Sequence, residues 1–224
     1  MDRDAQALDS APRALGQDHD GIACDITATD APLTAVAACV ARFGGLDILI
    51  SNAGTAQQGD MASLPDDVLR ASFELNFFAH AAFSQAATAV FRAQNIARGF
   101  GARQIRFNVS KQAVNPGRNF GAYGLPKATT FFLLRQLALE LGPEGIQANG
   151  INADRVRSGL LTPEMIASRA AASKTDTDSY MAGNLLGRDV EARHVTEAFV
   201  MLARAERTTA HMTVDGGNIE AELR

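Results

Sequence analysis

F-N-V-S-K-Q-A-V-N-P-G-R-N-F-G-A-Y-G-L-P-K-A, residues 107–128, decides how the rest of the chain is read. The segment 104–110 ends at Ser110 and reads as a strand. A turn rich in Asn, Pro and Gly follows, and then a helix is predicted over 123–141, closing at Gly142-Pro143. Pro126 is tolerated only in a first turn, so the helix should begin near Ala122. Tyr123 and Lys127 are four apart and share a helix face. A lysine ammonium beside a phenol favours the phenolate. A phenol so tuned can take a proton from an alcohol or give one to a carbonyl. Ser110, at the end of the preceding strand, can hold the same oxygen. The set suits hydride chemistry at an alcohol or carbonyl with a nicotinamide as carrier.

Working outward, helical and strand patterns alternate, which predicts an α/β fold with a mainly parallel sheet. Upstream, 3–16 has Ala5, Leu8, Ala11 and Leu15 at helical spacing, and 21–25 reads as a short buried strand. Asp30 can cap a helix with Pro32 in its first turn, ended by Gly44-Gly45. The apolar run 46–52 has the look of a strand buried on both faces. Ser63 is placed to cap a long helix over 65–95, rich in Phe and Ala. Downstream, 145–152 is a strand, 158–187 an irregular, partly helical insertion, 190–204 a helix and 211–215 a last strand. No repeat or linker interrupts the chain, so 1–224 is expected to form one domain.

Composition narrows the function. The 224 residues carry a net charge of −4, which gives no basic footprint for nucleic acid. The acids near the start (Asp2, Asp4, Asp9, Asp18, Asp20, Asp25 and Asp30) are spaced, as on a solvated helix and its loops. No apolar run approaches a membrane span, and the first twenty residues are too polar and acidic for a signal peptide. A cytoplasmic location is therefore expected. Cys24 and Cys39 form no C-x-x-C, and His19, His80, His194 and His211 are scattered, so no metal site is expected.

Six stretches together resemble the short-chain dehydrogenase/reductase family in order and spacing: C-D-I-T (24–27), S-N-A-G (51–54), E-L-N-F-F (74–78), the Ser110–Tyr123–Lys127 set, A-D-R-V-R-S (153–158) and V-D-G-G (214–217). The resemblance implies a Rossmann-like three-layer sandwich binding NAD or NADP and interconverting a small alcohol and a carbonyl. It implies catalytic roles for Asn76, Ser110, Tyr123 and Lys127. It implies cofactor contacts at Asp25, Ile26, Asn52, Ala53, Gly54, Tyr123, Lys127, Val156 and Ser158, with 158–187 as the substrate loop. Asn76 would kink its helix and hold a water that links Lys127 to solvent. It also implies a homodimer or homotetramer through helices 65–95 and 123–141, which carry Phe73, Phe77, Phe78, Phe83, Phe91, Phe131 and Phe132. N-P-G-R-N-F-G-A-Y-G-L-P-K, N-A-D-R-V-R-S-G-L-L-T and Y-M-A-G-N-L-L-G-R further resemble the dehydrogenase domain of bifunctional class II aldolase/short-chain dehydrogenases, which points to a lactaldehyde-type substrate.

The chain departs from the family pattern at its start and at one internal site. A complete member opens with a strand, a T-G-x-x-x-G-x-G loop at a helix N-terminus and a second strand, where backbone N–H groups bind the pyrophosphate. Here M-D-R-D resembles the end of that second strand, so the first strand, glycine loop, first helix and second strand are expected to be absent. Weak cofactor binding and an exposed apolar edge at 46–52 are the expected results. Ala153-Asp154 stands where the family has Pro-Gly, which puts an acid beside the nicotinamide. The alternative reading is a cofactor-deficient relic acting as an interaction protein, or a detached half of a bifunctional aldolase/dehydrogenase.

Overall fold

The computed structural model describes residues 1–8, 18–94, 103–206, 208–209 and 211–217. Strands β1 (Ile48–Ser51), β2 (Arg103–Asn108), β3 (Ile146–Ala153) and β6 (His211–Val214) form a sheet in the order β1-β2-β3-β6, every pair parallel. β1 and β2 are direct neighbours, Leu49 opposite Ile105. A second, two-stranded parallel sheet joins β4 (Val156–Arg157) to β5 (Val190–Glu191).

Side-chain alternation assigns the two faces of the sheet. Leu49, Ile105, Phe107 and Ile146 point to a core shared with α1 (Ala31–Phe43), α3 (Ala79–Ala93) and α4 (Gly121–Leu141), through Ala35, Phe83, Phe91 and Leu134. Ile151, Met212 and Val214 point the other way, onto Val195, Ala198 and Leu202 of α7 (Ala192–Arg204). The result is helix, sheet, helix in three layers. The face under α7 is polar along β2 and β3. Arg106 Nη2 donates to the Leu202 carbonyl at 2.7 Å and Gln104 Nε2 to that of Ala203 at 3.1 Å, while Gln147 donates to Glu206. These carbonyls lie at the end of α7, where helix C=O groups lack intrahelical partners.

The helix boundaries follow local chemistry. Pro32 sits in the first turn of α1, and Gly44 ends it in the left-handed region, φ 77°, where a side chain would be strained. α4 starts at Gly121, so Pro126 falls within its early turns. The long helix expected over 65–95 is three pieces: α2 (Asp66–Phe73), a π-helical turn (Glu74–Phe78) and α3, while Asn95 lies outside the described residues. The insertion 158–187 contains α5 (Pro163–Ala172) and α6 (Thr177–Met181).

Four expectations need correction or fall partly outside the described chain. Ser63 does not cap α2: its N–H closes a turn on Asp60, and Pro65 occupies the N-cap. The strand at 21–25 reduces to one parallel rung between Asp2 and Ala23, because its pairing is confined to that short partner segment. β1 is not covered on both faces. Leu49 and Ser51 are buried, but Ile48 is 37% and Ile50 53% exposed, with Ile50 lining the open cleft. Ala11 and Leu15 of the helix expected over 3–16 lie outside the described residues, and 5–8 form a single helical turn.

Gly150 fixes how closely α4 approaches β3. A Cβ there would run into the Leu134 Cδ1 methyl and stand 3.1 Å from Val109 Cγ2, with Leu134 itself fully buried. We expect Gly150→Ala to destabilise the chain by about 1–3 kcal/mol through overpacking. Leu134→Ala should cost about 2–5 kcal/mol by opening a cavity. In a urea-unfolding double-mutant cycle the pair should cost less than the sum of the two.

Candidate active site

The C-terminal ends of β1, β2 and β3 open into one cleft of about 1470 Å³. Asp25, Ile26, Asn52, Ala53, Gly54, Ser110, Tyr123, Lys127, Val156 and Ser158 all line it. This is the crevice position expected of ligand sites in open parallel sheets, and the volume exceeds that of typical small-ligand pockets. Of the residues picked out from the sequence, Asn76 alone stands behind the wall, fully buried.

Strand β2 delivers the first catalytic candidate. Ser110 lies two residues past its end, and its Oγ accepts from the Gln112 N–H at 3.1 Å as a 3-10 turn (Lys111–Ala113) begins. Tyr123 is in the first turn of α4, its ring edge-on to Phe120 with centroids 6.0 Å apart. Burial pushes the Tyr123 phenol up to about 12, against a smaller opposing influence of the Ser110 side chain. Lys127, one turn on, donates from Nζ to the Asn108 carbonyl at 2.9 Å and stands 5.7 Å from the Tyr123 ring centroid. Burial lowers its pKa to about 8. The ammonium was expected to depress the phenol. In this dry pair desolvation governs both groups and favours both neutral forms.

Asn76 sits at the middle of the π-helical turn. Its Nδ2 donates to the Thr55 carbonyl at 3.0 Å and to the carbonyl and Oγ of Ser72, each at 3.1 Å. Its backbone carbonyl accepts from Thr130 Oγ1 of α4 at 2.7 Å. The Oδ1 atom is buried with no protein partner. It faces Gly54: a Cβ at that glycine would lie 2.7 Å from Asn76 Oδ1 and 3.7 Å from Lys127 Nζ. The absent side chain leaves a polar niche bounded by an orphan acceptor and an amine. Next to it, buried His80 hydrogen-bonds Ser51, and burial together with Lys127 drives its pKa down to about 3.

At the far end, Asp25 Oδ1 accepts from the Thr27 N–H at 2.9 Å and from its hydroxyl at 2.7 Å, which lowers the carboxyl pKa. Asn52 Oδ1 accepts from Asn108 at 2.7 Å, joining the β1 and β2 ends. Asp154 lines the cleft between Lys111, 3.4 Å away, and Arg155, 3.6 Å away. The backbone N–H groups of Leu185 and Leu186 donate to the carbonyls of Gly217 and Gly216, tying the V-D-G-G stretch to the insertion. Gln112, Phe120, Arg155, Arg169 and Tyr180 also line the cleft and escaped the sequence reading. They come from short helices, turns and loops around the cleft whose position depends on contacts across the fold, and no local pattern marks them as a site. Among the described residues no group of three or more His, Cys, Asp or Glu could hold a metal ion, and no helix is long and apolar enough to cross a membrane.

Comparison with known proteins gives a consistent picture. Residues 1–218 match the family profile described as enoyl-(acyl carrier protein) reductase. A cis-2,3-dihydrobiphenyl-2,3-diol dehydrogenase from Paraburkholderia xenovorans is 29% identical, over 97% of this chain and 79% of that protein. Among solved structures, a protein described as a short chain dehydrogenase/reductase family protein is 25% identical with a TM-score of 0.77, over 96% of this chain and 83% of its own. A 3-ketoacyl-(acyl-carrier-protein) reductase from Brucella melitensis complexed with NADH shares the fold, with a TM-score of 0.85 and 23% identity, over 96% of this chain and 84% of its own.

The buried lysine sets a pH signature. An unfolded lysine titrates near 10.5 and the folded Lys127 near 8. The folding penalty of its charge is therefore complete below pH 8 and relieved as pH rises from 8 to 10.5. Relative to Lys127→Met, the wild type should gain about 3 kcal/mol across that window and nothing between pH 6 and 7.5. Denaturant unfolding of both proteins at stepped pH measures this.

Proposed function

Since the chain belongs to the short-chain dehydrogenase/reductase family and is an oxidoreductase by that membership, we propose that it interconverts a small alcohol and its carbonyl compound through Ser110, Tyr123 and Lys127. The single observation that carries this reading is the convergence of the three residues on one cleft floor, with Ser110 close enough to Tyr123 to act on its phenol and Lys127 one turn away. A nicotinamide dinucleotide, NAD or NADP, supplies the hydride acceptor or donor when bound. Ser110 orients the substrate oxygen and stabilises charge on it. Tyr123 removes the hydroxyl proton in oxidation and returns one to the carbonyl oxygen in reduction. Lys127 holds the ribose side of the cleft and passes the proton on. Asn76 Oδ1 and the Gly54 niche hold the water that links Lys127 to solvent, which accounts for the orphan acceptor.

The residues along the cleft suit the cofactor in a stated order. Asp25 and the Ile26 N–H would take the adenine, Asn52, Ala53 and Gly54 would lie along the ribose, and Val156 and Ser158 would back the nicotinamide. The sequence contains no T-G-x-x-x-G-x-G. Losing two or three charge-assisted bonds to the pyrophosphate, each roughly 1.5–3 kcal/mol, makes binding by these residues alone weak. Calorimetric titration of this chain with NAD and NADP should therefore give dissociation constants above the low micromolar range. The resemblance to aldolase-linked dehydrogenases makes lactaldehyde a first substrate to assay.

We expect Tyr123→Phe to remove most turnover while leaving the melting temperature close to wild type, because only the proton-transfer group is lost. Undiminished turnover would refute the role. Assembly is proposed through α3 and α4. Phe83 and Phe91 belong to the core, but Phe78, Leu125, Phe132 and Leu139 are exposed. Phe132→Glu should convert a dimer or tetramer to monomer by light scattering.

A further inference from the structure

We infer that the substrate of this cleft carries a carboxylate, and that Arg169 binds it. The inference rests on the oxidoreductase reading only for where the reacting oxygen sits. Arg169 projects from α5 into the cleft wall. Its guanidinium carbon lies 4.5 Å from the Phe120 ring centroid, and Phe120 is the ring packed edge-on against Tyr123. One aromatic ring thus separates the cation from the catalytic phenol.

The position is fixed, and the charge is not neutralised. Nη1 donates to the Arg118 carbonyl at 2.6 Å and Nε to the Tyr180 hydroxyl at 3.4 Å. Nη2 has no hydrogen-bond partner among the described residues, and no described carboxylate lies within ion-pair distance of Arg169. That end lies beside Gln112, since both stand next to the space where a Gly117 Cβ would be, Nη2 at 3.1 Å and Gln112 Oε1 at 2.8 Å. Gln112 is also the residue whose N–H binds Ser110 Oγ.

The neighbouring cations differ. Lys111 and Arg155 share Asp154, and Arg155 Nη1 is engaged by the carbonyls of Tyr180 and Gly183 at 2.8 and 2.9 Å. Arg169 alone of the three lacks an acid among the described residues. Leu160, Leu161 and Tyr180 complete this end of the cleft. A half-buried guanidinium stacked on an aromatic ring, with an N–H pair that has no partner among the described residues and an apolar lining close by, is suited to a planar anion joined to a short carbon skeleton. The reaction class that follows is hydroxy acid to keto acid and its reverse. A carboxylate so held would place the alcohol carbon of one skeleton length at Tyr123, and neutral substrates of that size would lack the anchor.

The test is a binding series that needs no turnover. Straight-chain carboxylates from acetate to hexanoate, and their primary amides, are titrated calorimetrically into the full chain at pH 7.5, with and without NAD. We expect the best acid to bind at least about ten-fold more tightly than its amide, with the preference screened by salt. Arg169→Gln should bring the pair within about two-fold. Arg169→Lys, checked by circular dichroism, keeps the charge and should retain part of the preference if the glutamine variant fails to fold. Equal binding of acid and amide by the wild type overturns the inference, as does a preference that survives Arg169→Gln. The two readings fail separately. Tyr123→Phe should keep the acid preference. A wild type that prefers acids but oxidises no alcohol sinks the dehydrogenase assignment alone. One that turns over neutral alcohols without binding acids better sinks this inference alone.

Discussion

The hydrogen bonds of the Asn76 amide hold the cleft together. In an unbroken α-helix the Ser72 carbonyl would bond the backbone N–H four residues on. Here the Asn76 side chain donates to it instead, and the same amide nitrogen reaches the Thr55 carbonyl in the loop after β1. Thr130 closes the arrangement from α4. A loop and a helix turn are thereby fixed against one side chain and a second helix against the same residue's backbone, with Gly54 and Lys127 on the far side of the amide. π-helical turns of this sort interrupt helices most often at functional sites. Removing the amide would release the Thr55 and Ser72 carbonyls at once, each costly to leave unpaired.

The buried cations Lys127 and Arg106 are handled by a common rule. Neither faces a carboxylate within ion-pair distance among the described residues. Lys127 donates to a strand carbonyl, and Arg106 to a helix carbonyl and the Gln147 side chain. Burial lowers both pKa values, to about 8 and about 10. At the cleft this brings an amine into the range where it exchanges protons near neutrality. Under α7 it does not, and Arg106 stays charged.

How much of this was legible in the sequence follows from the range of the interactions involved. The strand, turn and helix around Ser110 and Tyr123 were readable because Pro126, the glycines and the apolar run act locally. The parallel three-layer architecture and the residues of the shared cleft followed from the joint pattern of motifs. What was not legible depends on distant neighbours. The exposure of Ile48 and Ile50 reflects what covers that face of the sheet, and β1's own residues say nothing about it. The Tyr123 pKa went up because the walls of the cleft are dry, although its spacing from Lys127 argued for the opposite. Arg169 acquires its place by reaching the Arg118 carbonyl, 51 residues away, and no window of sequence contains that pair. Ser63 looked like a cap because it precedes a helical pattern, and the turn it closes with Asp60 took precedence.

The polar face beneath α7 has a consequence for how this sequence can drift over generations. The sheet grips that helix in two ways: Val195, Ala198 and Leu202 pack on Ile151, Met212 and Val214, and at its end Gln104 and Arg106 hold carbonyls of the last turn while Gln147 and Asn149 hold those of Glu206 and Thr208 just beyond. Carbonyls are common to every residue type. The outer residues of α7, such as Val200 and Met201, which are half exposed, can therefore be exchanged freely without loosening the attachment. The inherited constraint falls on Gln104, Arg106, Gln147 and Asn149, and on the buried Val195, Ala198 and Leu202. In descendants of this chain, the strands should be the slow clock and the outer face of the helix they hold the fast one.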